Sequence, residues 1–538
     1  MAHAAQAMNL AQLLRQTARL FPDRPGLICG EREWTWREID RRVDALVAAL
    51  RALGIGAGDK ILVHSRNNAA MFESCWAAFR LGAVWVPTNF RLEPPEVAYL
   101  GSSSGAAVMI CEQVFAPAHV DAVRAASAAL KQVVIVGEAT RPGEHAYEAL
   151  VAAHMPPAGN PVPEATVTAD DPLWFFYTSG TTGRPKAGVL THGQMAFVVA
   201  NHLADLLPGT DERDVSIAVA PLSHGAGVHM LNNVARGAAT VLMPGEKLDP
   251  AVFWPLVERH RVSNLFTVPT IVKLLVEHPA VDAHDHRSLR HVIYAGAPMY
   301  RADQKLALQK LGRVLVQYFG LGEVTGNITV LPREMHSADD DDPNAFIGSC
   351  GRARTGMEVA IFDAQMRPLP VGEVGEICCR GPAVFAGYHG NPEATAKALR
   401  GGWFHTGDLG RMDERGLVYI TGRESDMYIS GGSNVYPREV EEVLLTHTGV
   451  AEVAVLGVPD EKWGEVGVAV VVRRPDAPAF DAAAVLAHLA GRTAKYRWPR
   501  HVFFWDALPK SGYGKIAKKD VREQLYERGD LPRGPVPG

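Results

Sequence analysis

Tyr177-Thr-Ser-Gly-Thr-Thr-Gly-Arg-Pro-Lys-Ala-Gly188 follows the strand-like run Leu173-Trp-Phe-Phe176 and organises the reading of the chain around it. Its glycines let the backbone turn and expose N–H groups, the hydroxyls of Thr178, Ser179, Thr181 and Thr182 can donate, and Lys186 adds positive charge. A strand running into such a loop suits a polyphosphate, which backbone amides and a cation hold together. The spacing is not that of a P-loop, because Gly183 follows Gly180 and Ala187, not Ser or Thr, follows the lysine.

Outward from this loop, strand-like runs alternate with helical patterns. Apolar residues Ile39, Val43, Leu46, Val47 and Leu50 recur at helical spacing, as do Leu10, Leu13, Leu14 and Ala18 nearer the N-terminus. Short apolar runs at 133–137, 215–221, 239–244, 264–269 and 291–296 read as strands. The alternation predicts an α/β fold of layered subdomains. After about residue 345 the runs shorten and glycines punctuate them, which predicts a small β subdomain. Residues 427–538 read as a separate small α+β domain, with Pro437 at a helix start and Val440, Val443 and Leu444 on one face. Asp339 to Asp342 lack the spacing and turn glycine of a calcium loop and read as a solvated loop.

A chain of 538 residues exceeds one ordinary core, and 47% hydrophobic with 21% charged residues is the composition of a folded protein. The formal charge of 54 − 59 = −5, with no long basic block, argues against nucleic acid as a partner. Six cysteines without a CxxC pair give no disulfide framework or zinc spacing. No apolar run approaches the ~18–20 residues of a membrane span, and no signal-peptide pattern opens the chain, so a cytoplasmic protein is expected.

Seven segments in order carry a resemblance that extends from about residue 10 to 525. They are YTSGTTGRPKAG (177–188), APLSHGAG (220–227), YAGAPM (294–299), QYFGLGE (317–323), WFHTGDLG (403–410), GRESDMYISGGSNVYPREVE (422–441) and LPKSGYGKI (508–516). On these the chain resembles the adenylate-forming superfamily of acyl-CoA synthetases, nonribosomal adenylation domains and luciferases. The resemblance implies a large AMP-binding domain over 1–422, a hinge over 423–426 and a mobile C-terminal domain over 427–538. It implies ATP, Mg2+ and CoA as reactants, a small carboxylic acid as substrate, and a monomer or homodimer with no nucleic-acid partner.

Residue by residue, Thr178, Ser179, Gly180, Thr181, Thr182, Gly183 and Lys186 match the phosphate loop. Gly296, Ala297 and Pro298 match the strip along adenine, and Phe319 the aromatic that stacks on it, with Gly320 and Gly322 in the same nucleotide segment. Glu323 matches the magnesium ligand, while Asp408 and Arg423 match the groups that reach the ribose. Lys515 matches the lysine that bridges the acid and the α-phosphate, Asp426 the hinge, and Gly431 and Gly432 the CoA channel. His224, with Gly225, Ala226, Gly227 and Val228, matches the acid pocket and its entrance.

Two departures stand out. Gly322 replaces the usual Thr or Ser, so a water or Thr325 is expected to supply that hydroxyl, and Ser425 replaces a frequent Lys. Val215 to Gly245 contain no Asp or Glu, which disfavours an amino-acid substrate. The expected activity is an AMP-forming carboxylic acid–CoA ligase. A medium- or long-chain fatty acid comes first, an aryl or arylalkenoic acid second, and the loading of a separate carrier domain is the alternative of another class.

Overall fold

Parallel strands buried on both faces read as unbroken apolar runs, and the chain uses such runs to build two sheets before residue 423. The computed structural model describes residues 6–178, 184–297, 299–430, 433–460, 462–475, 477–510 and 516–532. The first sheet has seven strands in the order Lys186–Thr191, Pro172–Thr178, Val84–Pro87, Lys60–His64, Val108–Glu112, Gln132–Val136 and Glu144–Ala146. Only its first pair is antiparallel, a hairpin that sets Thr178 opposite Lys186 across the phosphate-loop candidate.

The second sheet has thirteen strands. Its middle is parallel: Pro25–Cys29, Ala239–Leu242, Val215–Ala218, Asn264–Thr267, His291–Tyr294 and Leu315–Phe319 lie side by side. The glycine-punctuated strands between 351 and 423 continue the same ladder antiparallel, so the β-rich segment is the far end of this sheet. Helices cover both sheets. Trp36–Ala52 begins with a reciprocal Thr35–Glu38 capping box, and Ala69–Leu81 starts on the Asn68 side chain and stops at Gly82, whose φ of 71° suits glycine.

Charge is buried beneath these helices. Arg80, fully buried, meets Asp44 at 2.7 Å and Asp40 at 2.5 Å, while Arg15 bonds the same two aspartates and Glu164. Each guanidinium is matched by carboxylates, the condition for tolerating ions away from water. The aspartate run pairs on the surface, Asp340 with Arg301 and Lys305.

The last strand of the large sheet, Leu417–Arg423, and the first strand of the small domain, Tyr428–Ser430, are separated by one turn containing Asp426. The small domain is a five-stranded sheet whose alternation feeds two cores. Val453, Val455 and Val471 face helices Pro437–Leu444 and Ala482–Leu489, while Ala454, Leu456, Val468 and Val470 face helix Lys518–Glu527. No helix among the described residues is long and apolar enough to cross a membrane.

Candidate functional site

Strand Pro172–Thr178 delivers Thr178 to a buried carboxylate. Its Oγ1 donates to Glu323 Oε1 at 2.9 Å, and the Tyr388 hydroxyl donates to the same oxygen at 2.9 Å. No described hydrogen bond reaches Glu323 Oε2. Glu323 sits in the short helix Gly322–Val324 just after strand Leu315–Phe319, and its backbone carbonyl accepts from Phe385 N–H. Lys186 Nζ lies 5.4 Å from the Tyr388 ring centre. Burial, and then the Glu323 charge, push the Tyr388 phenol well up, so it remains a donor. Thr178, Lys186, Glu323 and Tyr388 therefore form one cluster at the mouth of the hairpin. Ser179, Gly180, Thr181, Thr182 and Gly183 lie outside the described residues, as do Pro298, Gly431, Gly432 and Lys515.

The same strand places Phe176 beside this cluster, where its ring lies against His224, tilted by 36° with ring centres 4.5 Å apart. A Cβ at Gly322 would lie 2.7 Å from the Phe176 ring and 2.8 Å from Thr178 Cγ2. The space that a side chain at residue 322 would take is thus filled by an aromatic ring. Thr325, buried nearby, accepts from Asn327 Nδ2 at its Oγ1, 3.2 Å away within its own turn. Gly322→Thr is expected to destabilise the protein by about 1–3 kcal/mol through overpacking, and Phe176→Val should relieve much of that loss. Urea unfolding of both single variants and the double variant measures the coupling; strictly additive losses would contradict it.

His224 precedes helix Gly225–Val234, whose first turn must be small. A Cβ at Gly225 would meet the Phe266 ring at 2.7 Å, and one at Gly227 would meet the Leu222 carbonyl oxygen at 2.1 Å. Ala226 and Val228 are buried in the same helix. Phe266 stacks on Tyr318 at 5.7 Å. A void of about 10 Å³, no larger than one water, lies under this helix against Ala226, His229, Met230, Ser216, Thr240 and Phe266.

The protonation of His229 is set by a chain of hydrogen bonds. Asn233 Nδ2 donates to the His229 backbone carbonyl at 2.9 Å, which leaves Asn233 Oδ1 to accept from Asn264 Nδ2 at 3.1 Å. Asn264 Oδ1 then faces His229 Nε2 at 2.8 Å, so Nε2 carries the proton. Burial depresses the imidazole to about 4, so the ring is neutral and Nδ1 is an acceptor. No described hydrogen bond reaches Nδ1.

Further along the second sheet, Asp408 and Arg423 face each other on adjacent strands, Oδ1 to Nε 3.1 Å apart, with Asp408 buried and Arg423 exposed. Gly296, with φ 85°, and Ala297 follow strand His291–Tyr294, and half-buried Phe319 packs one side on the core. Gly320 lets its loop close, since a Cβ there would lie 2.5 Å from Gly326 Cα. Ser425 and Asp426 occupy the turn between the two domains, 3.5 Å apart through Oγ and Oδ1.

Sequence reasoning missed Phe176, Tyr388, Phe266 and His229. A signal existed for Phe176, because residues 174, 176 and 178 share one strand face and Thr178 was already a candidate. None existed for Tyr388, which arrives from 65 residues away.

Comparison with known proteins gives a consistent picture. Residues 14–389 match the model of the AMP-binding enzyme family and residues 439–515 that of the AMP-binding enzyme C-terminal domain. A feruloyl-CoA synthase of Amycolatopsis is 38% identical over 510 residues, covering 94% of this chain and 97% of that protein. A fatty acid–[acyl-carrier-protein] ligase of Streptomyces coeruleorubidus is 32% identical, covering 99% of both. The crystal structure of an anthranilate CoA ligase in complex with anthranoyl-AMP superposes with a TM-score of 0.87 at 25% identity, covering 98% of this chain and 99% of that one.

Proposed function

Because this chain belongs to the AMP-binding enzyme family, we propose that it is an ATP-dependent, AMP-forming acid–CoA ligase acting on a hydroxyl-bearing aryl or arylalkenoic acid. In the first half-reaction the acid's carboxylate attacks the α-phosphorus of ATP, and pyrophosphate leaves. In the second, the CoA thiol attacks the acyl carbon, losing its proton, and AMP departs.

The family resemblance supplies the roles, and the contacts of the described residues support them. Thr178 and Lys186, with Ser179 to Gly183 between them, cradle the β- and γ-phosphates. Gly296, Ala297 and Pro298 line the adenine, Phe319 stacks on it, Gly320 and Gly322 shape that wall, and Asp408 with Arg423 binds the ribose. Glu323 would hold Mg2+, which supplies charge neutralisation on the phosphates; its free Oε2 and its fixed Oε1 fit a hard cation that prefers one or two carboxylates. His224, braced on Phe176, orients the acid's carboxylate. Lys515 is assigned to the adenylation step, and Asp426 to a hinge between residues 1–422 and 427–538. Rotation about it carries Gly431 and Gly432 to the thiol channel.

The aryl reading rests on His229. Its unprotonated Nδ1 asks for a donor, and a long alkyl chain laid against it would leave a buried acceptor unpaired, a cost of about 1–3 kcal/mol. A phenolic hydroxyl satisfies it. The feruloyl-CoA synthase and anthranilate CoA ligase likenesses agree with this choice.

Thioester formation across cinnamate, 4-hydroxycinnamate, benzoate, 4-hydroxybenzoate, decanoate and hexadecanoate tests it. The hydroxylated ring acids should lead their unsubstituted partners by tenfold or more in kcat/KM, about 1.4 kcal/mol, and His229→Leu should erase that lead. Decanoate or hexadecanoate outrunning every ring acid would overturn the aryl assignment. Transfer to a carrier protein but not to CoA would overturn the choice of thiol.

A further inference from the structure

Strands Gly375–Arg380 and Phe404–Met412 pair as Cys378 with His405 and Glu376 with Leu409. Two steps on one strand answer four on the other, so Thr406, Gly407 and Asp408 bulge out of the ladder. Gly407 takes a φ of 69° to make the turn, Thr406 Oγ1 donates to the Ile377 carbonyl, and Asp408 N–H donates back to Thr406 Oγ1 at 3.0 Å. A single carboxylate closes the bulge. Glu376 Oε1 accepts the Gly407 N–H at 3.0 Å, while Oε2 accepts His405 Nδ1 at 2.7 Å and Arg400 Nη2 at 2.9 Å.

We infer that Glu376, held by His405 and Arg400, is a positioning residue that fixes the Gly407–Asp408 turn and so sets the Asp408 carboxylate for the nucleotide. The inference rests on the reading of Asp408 given above. Buried His405 faces Glu376 through Nδ1 and the Arg400 carbonyl through Nε2, 3.2 Å away. The groups around it are Glu376, Arg400 and the Cys378 thiol, whose Sγ lies 3.4 Å from Nδ1 and which burial pushes up to about 12, so it stays neutral. The turn is thereby tied to the cluster of Glu376, His405 and Arg400, and Asp408 in turn meets Arg423. A glycine turn tethered at Gly407 N–H leaves little freedom to the residue after it.

Glu376→Gln keeps the size of the side chain but removes its charge and presents an amide N–H₂ toward groups that themselves donate. It should raise the KM for ATP, and the Kd for AMP measured by calorimetry without turnover, about tenfold. The KM for the acid should stay within threefold and the melting temperature within a few degrees. Glu376→Asp should fall between Gln and the wild type. Asp408→Asn serves as the companion: if it leaves AMP affinity unchanged, the reading of Asp408 itself is wrong. If Asp408→Asn weakens AMP but Glu376→Gln does not, or if Glu376→Gln weakens acid and nucleotide equally together with stability, Glu376 is a structural residue only and the inference falls.

Discussion

Glu323→Gln should cut acid-dependent pyrophosphate release by roughly a hundred- to a thousandfold while leaving the fold intact. The side-chain amide keeps an oxygen for Thr178 and Tyr388, which both donate to one carboxylate oxygen in the wild type. What is lost is the negative charge. A preorganised charged group at a site of charge transfer is worth on the order of 10²–10³ in rate, because it needs no rearrangement as the transition state forms. Binding of ATP without metal should change far less than the rate. Burst measurements of pyrophosphate with excess Mg2+, set beside the melting temperature, separate these effects. A loss below tenfold would remove Glu323 from the metal and phosphate chemistry.

Acidification should unfold the large domain over a narrow range. His64 is depressed to about 3, His192, His229, His291 and His336 to about 4, and His202 well below its usual value, in every case first by burial. An unfolded chain titrates these rings near 6.5. As pH falls through 6.5 the unfolded state therefore takes up protons that the folded state refuses. Their contribution to stability is complete above about 6.5 and drains away toward pH 4, by about 1.4 kcal/mol per ring per pH unit. With six rings acting together the unfolding free energy should drop by several kcal/mol per unit between pH 6 and 5. Tryptophan fluorescence follows it well, since Trp36, Trp76, Trp85, Trp174 and Trp254 are all buried in this domain. Urea midpoints that stay flat from pH 6.5 to 5 would mean that these histidines are not buried neutral in solution.

How much of this was legible beforehand depends on the range of the interaction. Runs such as Gln132–Val136 and Asn264–Thr267 declare themselves as strands because burial on both faces demands unbroken apolar residues. Helix Trp36–Ala52 declares its start through Thr35 and Glu38. Thr178, Lys186, Glu323, Asp408 and Arg423 stood out in short motifs, and the structure brings the first three to one place and pairs the last two. The remainder depends on distant encounters. Tyr388 reaches Glu323, and Asn264 reaches His229, across intervals that no local period encodes. The polar foot of the void was hidden for another reason: from Val215 to Gly245 the absence of acids drew attention to charge, whereas the informative atoms there are neutral imidazole and amide nitrogens.

The shared volume of Phe176 and Gly322 also orders the substitutions by which related chains can be interconverted. Beginning from this sequence, a side chain at 322 meets the ring at once, whereas removing the ring first leaves a void costing about 3–5 kcal/mol, which a later side chain can refill. One sequence of changes passes through a loosened but unobstructed intermediate, and the reverse passes through a clash. Libraries that vary the two positions one at a time will record both as intolerant, and the combinations that reshape this wall will emerge only when the positions are varied as a pair.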